Sequence, residues 1–247
     1  EDLSPRQWRD RRGGTVAMIF QEPMTALDPV FSVEALLREV LALDGLRGRE
    51  ARRQASALLQ EVRIPDPDRC LASAPHMLGG GMRQRVVIAL ALARNPVLLL
   101  ADEPTTALDA VTREAVMDLL ADLQSTRGLG ILMISHDLGL VAERAQRVVV
   151  LHGGRICESG PTDRVLEDAR HPYTRGLLGC RLSVDHRSDR LRLVEEVMAS
   201  PHAWTPIQTL EGPRRPWKPA EGTQASEVPR LVEVAPGHQV ATETGSV

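Results

Sequence analysis

The sequence contains almost no lysine. Lysine and arginine together number 30, yet Lys218 is the only lysine, and it lies in a proline-rich stretch. Loops that bind nucleotide phosphates usually carry a lysine in the pattern G-x-x-x-x-G-K-[ST]. That pattern occurs nowhere in the 247 residues. A phosphate-binding loop of this type is therefore not expected within these residues.

Cysteine is also scarce, and its spacing excludes two kinds of site. Cys70, Cys157 and Cys180 are the three cysteines, and they lie far apart without any paired spacing. Disulfide frameworks and zinc sites both need cysteines in recurring pairs. The sequence therefore indicates neither a disulfide framework nor a zinc site, and it favours a reducing compartment.

Long apolar runs and strong net charge are absent as well. A membrane helix needs roughly 18 to 20 apolar residues, whereas the longest candidate, residues 86–93, is followed at once by Arg94, Asn95 and Pro96. The net charge of −3 offers no strong field for nucleic acid or an anionic membrane. The first residues form no signal segment and include no starting methionine, so we expect the chain to begin partway through a longer one.

The patterns that are present predict an α/β fold. Residues 15–20 form an apolar, β-branched run that predicts a buried strand, and apolar residues at helical spacing over 32–62 predict two amphipathic helices. Predicted strands and helices then alternate along the chain: helix 82–93, strand 97–101, a helix to about 123 with Asp109 as its N-cap, strand 130–135, helix 138–145 and strand 147–151. This alternation predicts a core built on a parallel sheet.

The last third of the chain has a different pattern. Gly153-Gly154 predicts a hairpin turn, with residues 155–158 as its returning strand. Beyond about Gly179 the periodicity fades, and residues 201–222 are rich in proline and glycine. We therefore expect a loosely ordered tail.

The strongest local signal for chemistry is Asp102-Glu103, which follows the apolar run 97–101. Ligands bind outside the carboxyl ends of parallel strands. There Asp102 could hold Mg²⁺, and Glu103 could polarise a water that attacks a γ-phosphate. The alternative is a strand that ends at a solvated acidic loop, and the run by itself is compatible with both.

Two further stretches are expected near the same crevice. Leu78-Gly79-Gly80-Gly81 opens a helix, where glycine amides can form an anion site, although such a loop can also be a flexible hinge. His136 follows the predicted strand 130–135 and could contact a γ-phosphate. A single histidine in that position is more often a structural polar cap.

Taken in order along the chain, these residues resemble the ATP-binding domain of ABC transporters. Five elements match that family: Gln21 (Q-loop), Leu78 to Gly81 (signature motif), Asp102-Glu103 (Walker B), residues 105–109 ending at Asp109 (D-loop) and His136 (H-loop). The resemblance implies a P-loop NTPase-like parallel sheet core with an inserted helical subdomain at about 30–95. It implies a truncated ATPase domain over 1–178 and a carboxyl-terminal extension over 179–247.

Four stretches look like the oligopeptide/dipeptide importer branch of that family. They are Phe20-Gln21-Glu22-Pro23-Met24-Thr25-Ala26-Leu27-Asp28-Pro29, Gly81-Met82-Arg83-Gln84-Arg85, His171-Pro172-Tyr173-Thr174 and residues 229–241. The resemblance therefore covers nearly the whole chain.

The resemblance also implies a mechanism and a set of partners. Two such domains would sandwich two ATP molecules, and each signature loop would complete the site of the other domain. By this resemblance, Glu103 and His136 would be catalytic, and Asp102 and Gln21 would bind Mg²⁺. The residues that would bind the nucleotide are Gln21, Leu78, Gly79, Gly80, Gly81 and Asp109. Implied partners are a second ABC ATPase subunit, two permease subunits and, indirectly, an extracytoplasmic solute-binding protein. The implied location is the cytoplasmic face of the membrane, and nucleic acid is not an expected partner.

The sequence departs from the family in three places. The lysine-bearing loop usually precedes the Q-loop, so we expect these residues to bind ATP weakly by themselves. Gly79 stands where the family usually has serine, whose hydrogen bond to a charged group would contribute roughly 1.5 to 3 kcal/mol. Cys180 alone cannot form the iron–sulfur cluster that some members carry in this region.

Two readings of the function remain open from the sequence. The first is an energy-coupling ATPase subunit of a peptide-type importer, recorded without its first segment or encoded by a truncated gene. The second is a non-catalytic, degenerate half that only completes the ATP site of a partner. A soluble ABC protein of DNA repair or translation is disfavoured by the importer motifs and by the absence of basic clusters.

Overall fold

The computed structural model describes residues 3–180, 194–219 and 228–244. The chain divides into two compact units, Glu1–His136 and Asp137–Val247. Each unit has its own sheet and its own helices. The boundary at 178/179, which follows from the family resemblance, stays a prediction.

A three-stranded parallel sheet organises the first unit. Its strands, in sheet order, are β1 (Val16–Ile19), β2 (Leu98–Asp102) and β3 (Gly130–Ile134). In the central strand β2, Leu98 lies opposite both Val16 and Gly130. Leu99 and Ala101 are fully buried, as expected for a strand covered on its faces. The parallel sheet predicted from the sequence is confirmed.

β3 is one of the two edge strands of this sheet. Among the described residues, β3 pairs with β2 along one side and with no strand along the other. Its side chains Leu132 and Ile134 are 54% and 53% exposed. In the described part of the chain, this edge leaves backbone hydrogen-bonding groups and large apolar side chains in water.

Along the chain, the helices of the first unit come before and between these strands. They are α1 (Pro5–Arg11), α2 (Pro23–Ala26), α3 (Val33–Ala42), α4 (Gly48–Glu61), α5 (Pro67–Ala72), α6 (Gly80–Leu92) and α7 (Ala110–Arg127), with a 3₁₀ turn at Pro75–Met77. The two predicted amphipathic helices are α3 and α4. The side chains that they bury recur at helical spacing: Val33, Leu37 and Leu41 on α3, and Ala51, Ala55, Leu58 and Leu59 on α4.

The second unit is built on an antiparallel sheet. Its elements are α8 (Leu138–Arg144), β4 (Arg147–His152), β5 (Arg155–Pro161), α9 (Thr162–Glu167), α10 (Pro172–Gly179), α11 (Val194–Ala199), a 3₁₀ turn (Pro201–Trp204), β6 (Ile207–Thr209), β7 (Gly212–Arg214), β8 (Arg230–Ala235) and β9 (His238–Thr242). The sheet order is β4-β5-β9-β8, and β6 and β7 form a separate hairpin. Gly153 and Gly154 both have positive φ angles, 55° and 74°, and they make the predicted tight turn between β4 and β5.

Two features of the second unit differ from the expectations. The run 147–151 is a strand, as predicted, but it pairs antiparallel with β5 and is not part of the parallel sheet. A short apolar run has the same pattern in either kind of sheet, whereas the Gly-Gly turn decides the pairing locally. The tail, expected to be loosely ordered, contains four strands in its described part, and β9 adds to the sheet beside β5.

A buried hydrogen-bonded group holds the second unit together. Glu158 on β5 is fully buried, and its carboxylate accepts hydrogen bonds from the backbone N–H groups of Arg170 (2.8 Å) and His171 (3.0 Å). His238 Nε2 on β9 donates to the same carboxylate at 2.7 Å. His171 is fully buried as well, and its Nε2 donates to the carbonyl of Trp217 at 2.9 Å. Glu158 thus links the central strand, the start of α10 and the last strand.

Candidate functional site

Glu103 is the centre of a group of polar side chains at the carboxyl edge of the parallel sheet. Its oxygen Oε2 accepts hydrogen bonds from Gln21 Nε2 (3.1 Å) and Thr106 Oγ1 (2.9 Å), and Oε1 lies 2.9 Å from His136 Nδ1. An ionised carboxylate only accepts hydrogen bonds, so Nδ1 of His136 carries the hydrogen in that contact. Three residues that the sequence predicted separately are therefore neighbours.

The backbone of Glu103 has an uncommon conformation. Its φ angle is +43°, in the left-handed region that non-glycine residues rarely adopt, and its N–H donates to the carbonyl of Ile134 at 3.0 Å. Such a conformation costs about 1 to 3 kcal/mol and is concentrated at functional sites. The turn places the Glu103 side chain against Gln21 and His136, which follow the two flanking strands.

The hydrogen bonds also set the charge of Glu103. The bond from His136, and then that from Thr106, lowers the pKa of this carboxyl below its ordinary value. Glu103 is therefore ionised at neutral pH. In that state its oxygens can orient a water molecule or accept a proton, and they cannot donate one.

Asp102 and Gln21 provide oxygen atoms next to this carboxylate. Asp102 is partly buried at the end of β2, and Gln21 contacts Glu103 through its nitrogen, so that contact does not use the amide oxygen. In the described ranges, no group of three or more His, Cys, Asp or Glu side chains could hold a metal ion. Mg²⁺ commonly uses one or two protein oxygens together with waters and substrate phosphate. Asp102 and Gln21 fit a site of that kind.

The glycine loop, residues 78–81, leads into α6. Gly79 is the N-cap of this helix, and no side chain caps the amides of its first turn. Arg83 fixes the loop, because its Nε donates to the carbonyl of Leu78 at 2.8 Å. Uncapped amides at the start of a helix of this length favour an anion through their N–H groups and the helix dipole.

The glycines of the loop differ in how much space surrounds them. A Cβ built on Gly79 would meet no atom within 4 Å, and its φ of −67° suits any residue. The serine usual in the family would therefore fit at this position. A Cβ on Gly81, in contrast, would overlap Cγ2 of Thr112. Only glycine is accommodated there without movement of the Thr112 side chain.

Asp109 caps α7, as the sequence predicted. Its Oδ1 accepts a hydrogen bond from the N–H of Thr112 (3.0 Å), and Oδ2 accepts one from the Thr112 hydroxyl (2.7 Å). The backbone bond, followed by the side-chain bond, lowers the pKa of Asp109. The side chain is thus ionised and fixed at the start of the helix.

The predicted site residues form two groups. The first is Gln21, Asp102, Glu103 and His136 at the edge of the sheet. The second is the glycine loop, which approaches the turn that carries Asp109 through Leu108 and Thr112. No role was predicted for Thr106 or Thr112, yet each hydroxyl donates a hydrogen bond to a carboxylate three residues earlier. That spacing of threonine after an acid is the signal that could have identified them.

Among the described helices, none is both long and apolar enough to cross a membrane.

Two family descriptions match separate parts of the sequence. The family described as "ABC transporter" matches residues 1–106. The family described as "Oligopeptide/dipeptide transporter, C-terminal region" matches residues 157–205. The second match includes His171-Pro172-Tyr173-Thr174, one of the stretches on which the resemblance to this branch rested.

Solved structures of ABC cassettes share the fold. The dimeric bacterial ABC transporter cassette MJ0796 aligns with 65% of this chain and 68% of its own, at 30% identity and a TM-score of 0.57. The same cassette has also been solved as a dimer bound to ADP and Pi. CbiO1 of Clostridium perfringens, part of the ABC transporter complex cbiONQ, gives a TM-score of 0.60 at 27% identity, over 68% of this chain and 64% of its own.

The similar sequences are named as ATP-binding proteins for peptide transport. One from Brucella abortus is 44% identical over 200 residues, which are 81% of this chain and 60% of the relative. This chain thus spans about 60% of the length of that relative. A peptide ABC transporter ATP-binding protein of Sinorhizobium fredii is 42% identical over 242 residues, 97% of this chain and 71% of its own. The chain belongs to the ABC transporter ATP-binding family, in the branch with the oligopeptide/dipeptide transporter carboxyl-terminal region.

Proposed function

We propose that this chain is the energy-coupling, ATP-binding subunit of an ABC importer for peptides or related solutes, in which ATP hydrolysis drives transport. The observation that carries the proposal is the group around Glu103. There an ionised carboxylate at the end of a buried parallel strand is held by Gln21, Thr106 and His136. Phosphoryl transfer depends mainly on such positioning and on charge stabilisation.

In this proposal Glu103 acts on the attacking water. Its hydrogen bonds with His136 and Thr106 keep it ionised, so it can accept the proton of that water. His136 donates from Nδ1 to Glu103, and its other ring nitrogen would donate to a γ-phosphate in the imidazolium form, in which both nitrogens carry a hydrogen. ATP would supply the phosphoanhydride bond that is broken.

Asp102 and Gln21 are proposed to hold Mg²⁺. Asp102 offers a carboxylate at the end of β2 and Gln21 an amide oxygen at the end of β1, two ligands of the type that Mg²⁺ prefers. Because Gln21 also donates to Glu103, movement of the segment that carries it would change the position of the catalytic carboxylate.

Leu78, Gly79, Gly80, Gly81 and Asp109 are proposed to face the nucleotide of a second ABC ATPase subunit. Support comes from the uncapped amides at the start of α6 and from MJ0796, a related cassette solved as a dimer. A site shared between two subunits needs such an anion-binding surface opposite the phosphates.

The remaining partners follow from the importer assignment. We propose two permease subunits, with an extracytoplasmic solute-binding protein as an indirect partner, and a position at the cytoplasmic face of the membrane. The helices between Ser32 and Ala93 are proposed to dock on the permease. In support, Val30 and Phe31, just before these helices, are 83% and 49% exposed, and Phe20 next to Gln21 is 48% exposed.

ATPase activity of the transporter assembled with its permease subunits tests the proposal. Glu103→Gln keeps the shape of the side chain and removes the carboxylate, so turnover should fall roughly 10²- to 10⁴-fold. ATP-driven dimerisation should persist. Glu167→Gln, at an exposed glutamate at the end of α9, is the control and should hydrolyse ATP normally. Unchanged turnover in Glu103→Gln would overturn the assignment.

A second candidate function is a non-catalytic half that only completes the ATP site of a partner. It is favoured by Gly79 in place of serine and by the lack of a G-x-x-x-x-G-K-[ST] loop within these residues. The same experiment separates the two functions. For a non-catalytic half, Glu103→Gln leaves hydrolysis at the partner's site unchanged, whereas Gly81→Ala, whose Cβ would overlap Cγ2 of Thr112 beside the glycine loop, lowers it.

A further inference from the structure

The glycine loop and the turn that carries Asp109 are in direct contact. A Cβ on Gly81 would overlap the methyl carbon Cγ2 of Thr112, and a Cβ on Gly80 would lie 3.7 Å from Cδ2 of Leu108. Leu108 and Thr112 lie on either side of Asp109 in the sequence. The first turn of α6 therefore packs against the segment that leads into α7.

Thr112 contacts both parts with different atoms. Its hydroxyl and its N–H donate to the two carboxylate oxygens of Asp109, at 2.7 and 3.0 Å. Its methyl group packs against Gly81. Threonine is stiff about χ1, so the methyl cannot move without moving the hydroxyl. The same side chain therefore contacts the glycine loop and holds the Asp109 carboxylate.

We propose that Thr112 is a positioning residue that couples the glycine loop to Asp109, so that the two nucleotide-facing elements keep one relative position. This role rests on the proposed function, in which both elements face the nucleotide of a second subunit. The hydroxyl holds Asp109 and the methyl sets the distance to α6. No side chain at position 81 is compatible with this arrangement.

Two substitutions at Thr112 separate these contacts. Thr112→Ser keeps the hydroxyl and removes Cγ2. The nearest remaining atoms of the residue, Cβ and the hydroxyl oxygen, would then lie 3.7 and 3.8 Å from a Cβ at position 81, which is ordinary van der Waals distance. Thr112→Val keeps a methyl against Gly81 and removes the hydroxyl bond to Asp109.

The first measurement uses the chain alone and follows the Asp109 carboxyl by ¹³C NMR, with Asp109→Asn identifying its signal. Gly81→Ala should push Thr112 away from Asp109, so the titration midpoint of Asp109 should rise. Gly81→Ala/Thr112→Ser should return the midpoint to the wild-type position, because the hydroxyl is retained and the overlap is gone. If Gly81→Ala leaves the titration midpoint of Asp109 unchanged, the proposed coupling is wrong.

Thermal unfolding provides the matched structural readout. Gly81→Ala should lower the Tm by about 3 to 8 °C, as expected for overpacking in a chain of this size. Thr112→Ser should recover most of that loss in the double variant. If the effects of the two substitutions simply add, the contact between Gly81 and Thr112 does not couple them, and the proposal is wrong.

The functional measurement is ATP-dependent association of this chain with an ABC ATPase subunit that carries the G-x-x-x-x-G-K-[ST] loop. Gly81→Ala and Thr112→Val should each weaken association about tenfold, and Gly81→Ala/Thr112→Ser should restore it. Normal association of both single variants would overturn the positioning role. If the wild-type chain itself shows no ATP-dependent association, the proposed function fails, while the titration and the Tm comparison still decide the coupling.

Discussion

His136 Nδ1 lies 2.9 Å from Glu103 Oε1, although 33 residues separate the two in sequence. They meet because β2 and β3 are parallel neighbours, with Asp102 opposite Ile134, so that the residues after both strands lie at one edge. The His136 side chain is 72% exposed and that of Glu103 only 21%. The contact orients the ring and leaves Nε2 directed away from Glu103.

This geometry predicts that His136→Asn changes the pKa of Glu103 less than His136→Ala or His136→Gln does. In His136→Asn the side-chain amide can replace Nδ1–H as the donor to Glu103, whereas His136→Ala removes the donor. We expect His136→Ala to raise the pKa of Glu103 toward its ordinary value of 4.5, and His136→Asn to raise it less. ¹³C titration of the Glu103 carboxyl measures both. His136→Gln, whose nitrogen replaces Nε2, should behave like the alanine variant, and an unmoved midpoint in all three would contradict the contact.

The pH dependence of Glu103 follows from the same shift. Since its pKa is lowered in the folded chain, the carboxylate persists as the pH falls below 4.5 and is protonated only through the lower folded value. The Glu103-linked loss of ATP turnover should therefore occur at a lower pH than it would for a carboxyl with the ordinary pKa of 4.5. The acid limb of the kcat profile of the assembled transporter checks this.

Gly79→Ser is predicted to strengthen ATP-dependent association without disturbing the fold. There is room for the side chain, and the added hydroxyl could bond the phosphate of a second subunit, contributing roughly 1.5 to 3 kcal/mol, or about 10- to 150-fold. Gly79→Ala is the matched control, because it adds the Cβ and no hydroxyl. Equal association of the serine and alanine variants would show that the loop makes no such bond.

His171 is predicted to make the second unit less stable in acid. Burial is the main cause that lowers its pKa from 6.5 to about 4, so the folded chain binds fewer protons than the unfolded chain in that range. The stabilisation is complete above pH 6.5 and is lost as the pH falls toward 4. The free energy of unfolding should drop by about 2 kcal/mol between pH 7.5 and 5 from this group.

Urea unfolding at a series of pH values measures that dependence. The asparagine in His171→Asn can still cap α10 but has no titrating ring. The free energy of unfolding of this variant should therefore change less with pH than that of the wild-type chain. If the free energy of unfolding has the same pH dependence in the variant and in the wild-type chain, the pKa of His171 does not differ between the folded and unfolded states.

Glu158→Ala is predicted to be among the most destabilising single changes in the second unit. It would leave His238 Nε2 and the N–H groups of Arg170 and His171 buried without their acceptor. Each buried donor that is left without a partner costs about 1 to 3 kcal/mol, so the loss of three acceptor contacts should cost at least about 3 kcal/mol. Glu233→Gln, at an exposed glutamate of β8, is the control and should change stability by less than about 0.5 kcal/mol. Chemical denaturation monitored by tryptophan fluorescence compares them.

Much of the first unit could be predicted from local pattern. The buried run before Asp102, the apolar spacing of α3 and α4, and Asp109 as a helix cap each depend on residues close together in sequence. The position of Gln21 beside Glu103 also followed, because the ends of parallel strands meet at one edge.

The remaining features depend on contacts between distant residues. The pairing of β9 with β5 joins residues about 80 positions apart, and proline and glycine between the strands weaken any local signal for them. The contact between Gly81 and Thr112 likewise depends on how two helices cross, which their separate sequences do not encode. In the sequence, Glu158 is an ordinary polar residue of a short strand. Its structural role depends on three hydrogen-bond donors that lie 12 to 80 residues away in sequence.

The open edge of β3 has a practical consequence for handling this chain. Within residues 3–180, 194–219 and 228–244, no strand pairs with this side of β3, and Leu132 and Ile134 are exposed beside it, so a strand from another molecule can add there. Concentrated solutions of these residues should self-associate through that edge and form soluble oligomers or precipitate. Replacing Leu132 with lysine places a charge on the edge, as natural edge strands do, and should keep the chain monomeric at higher concentration.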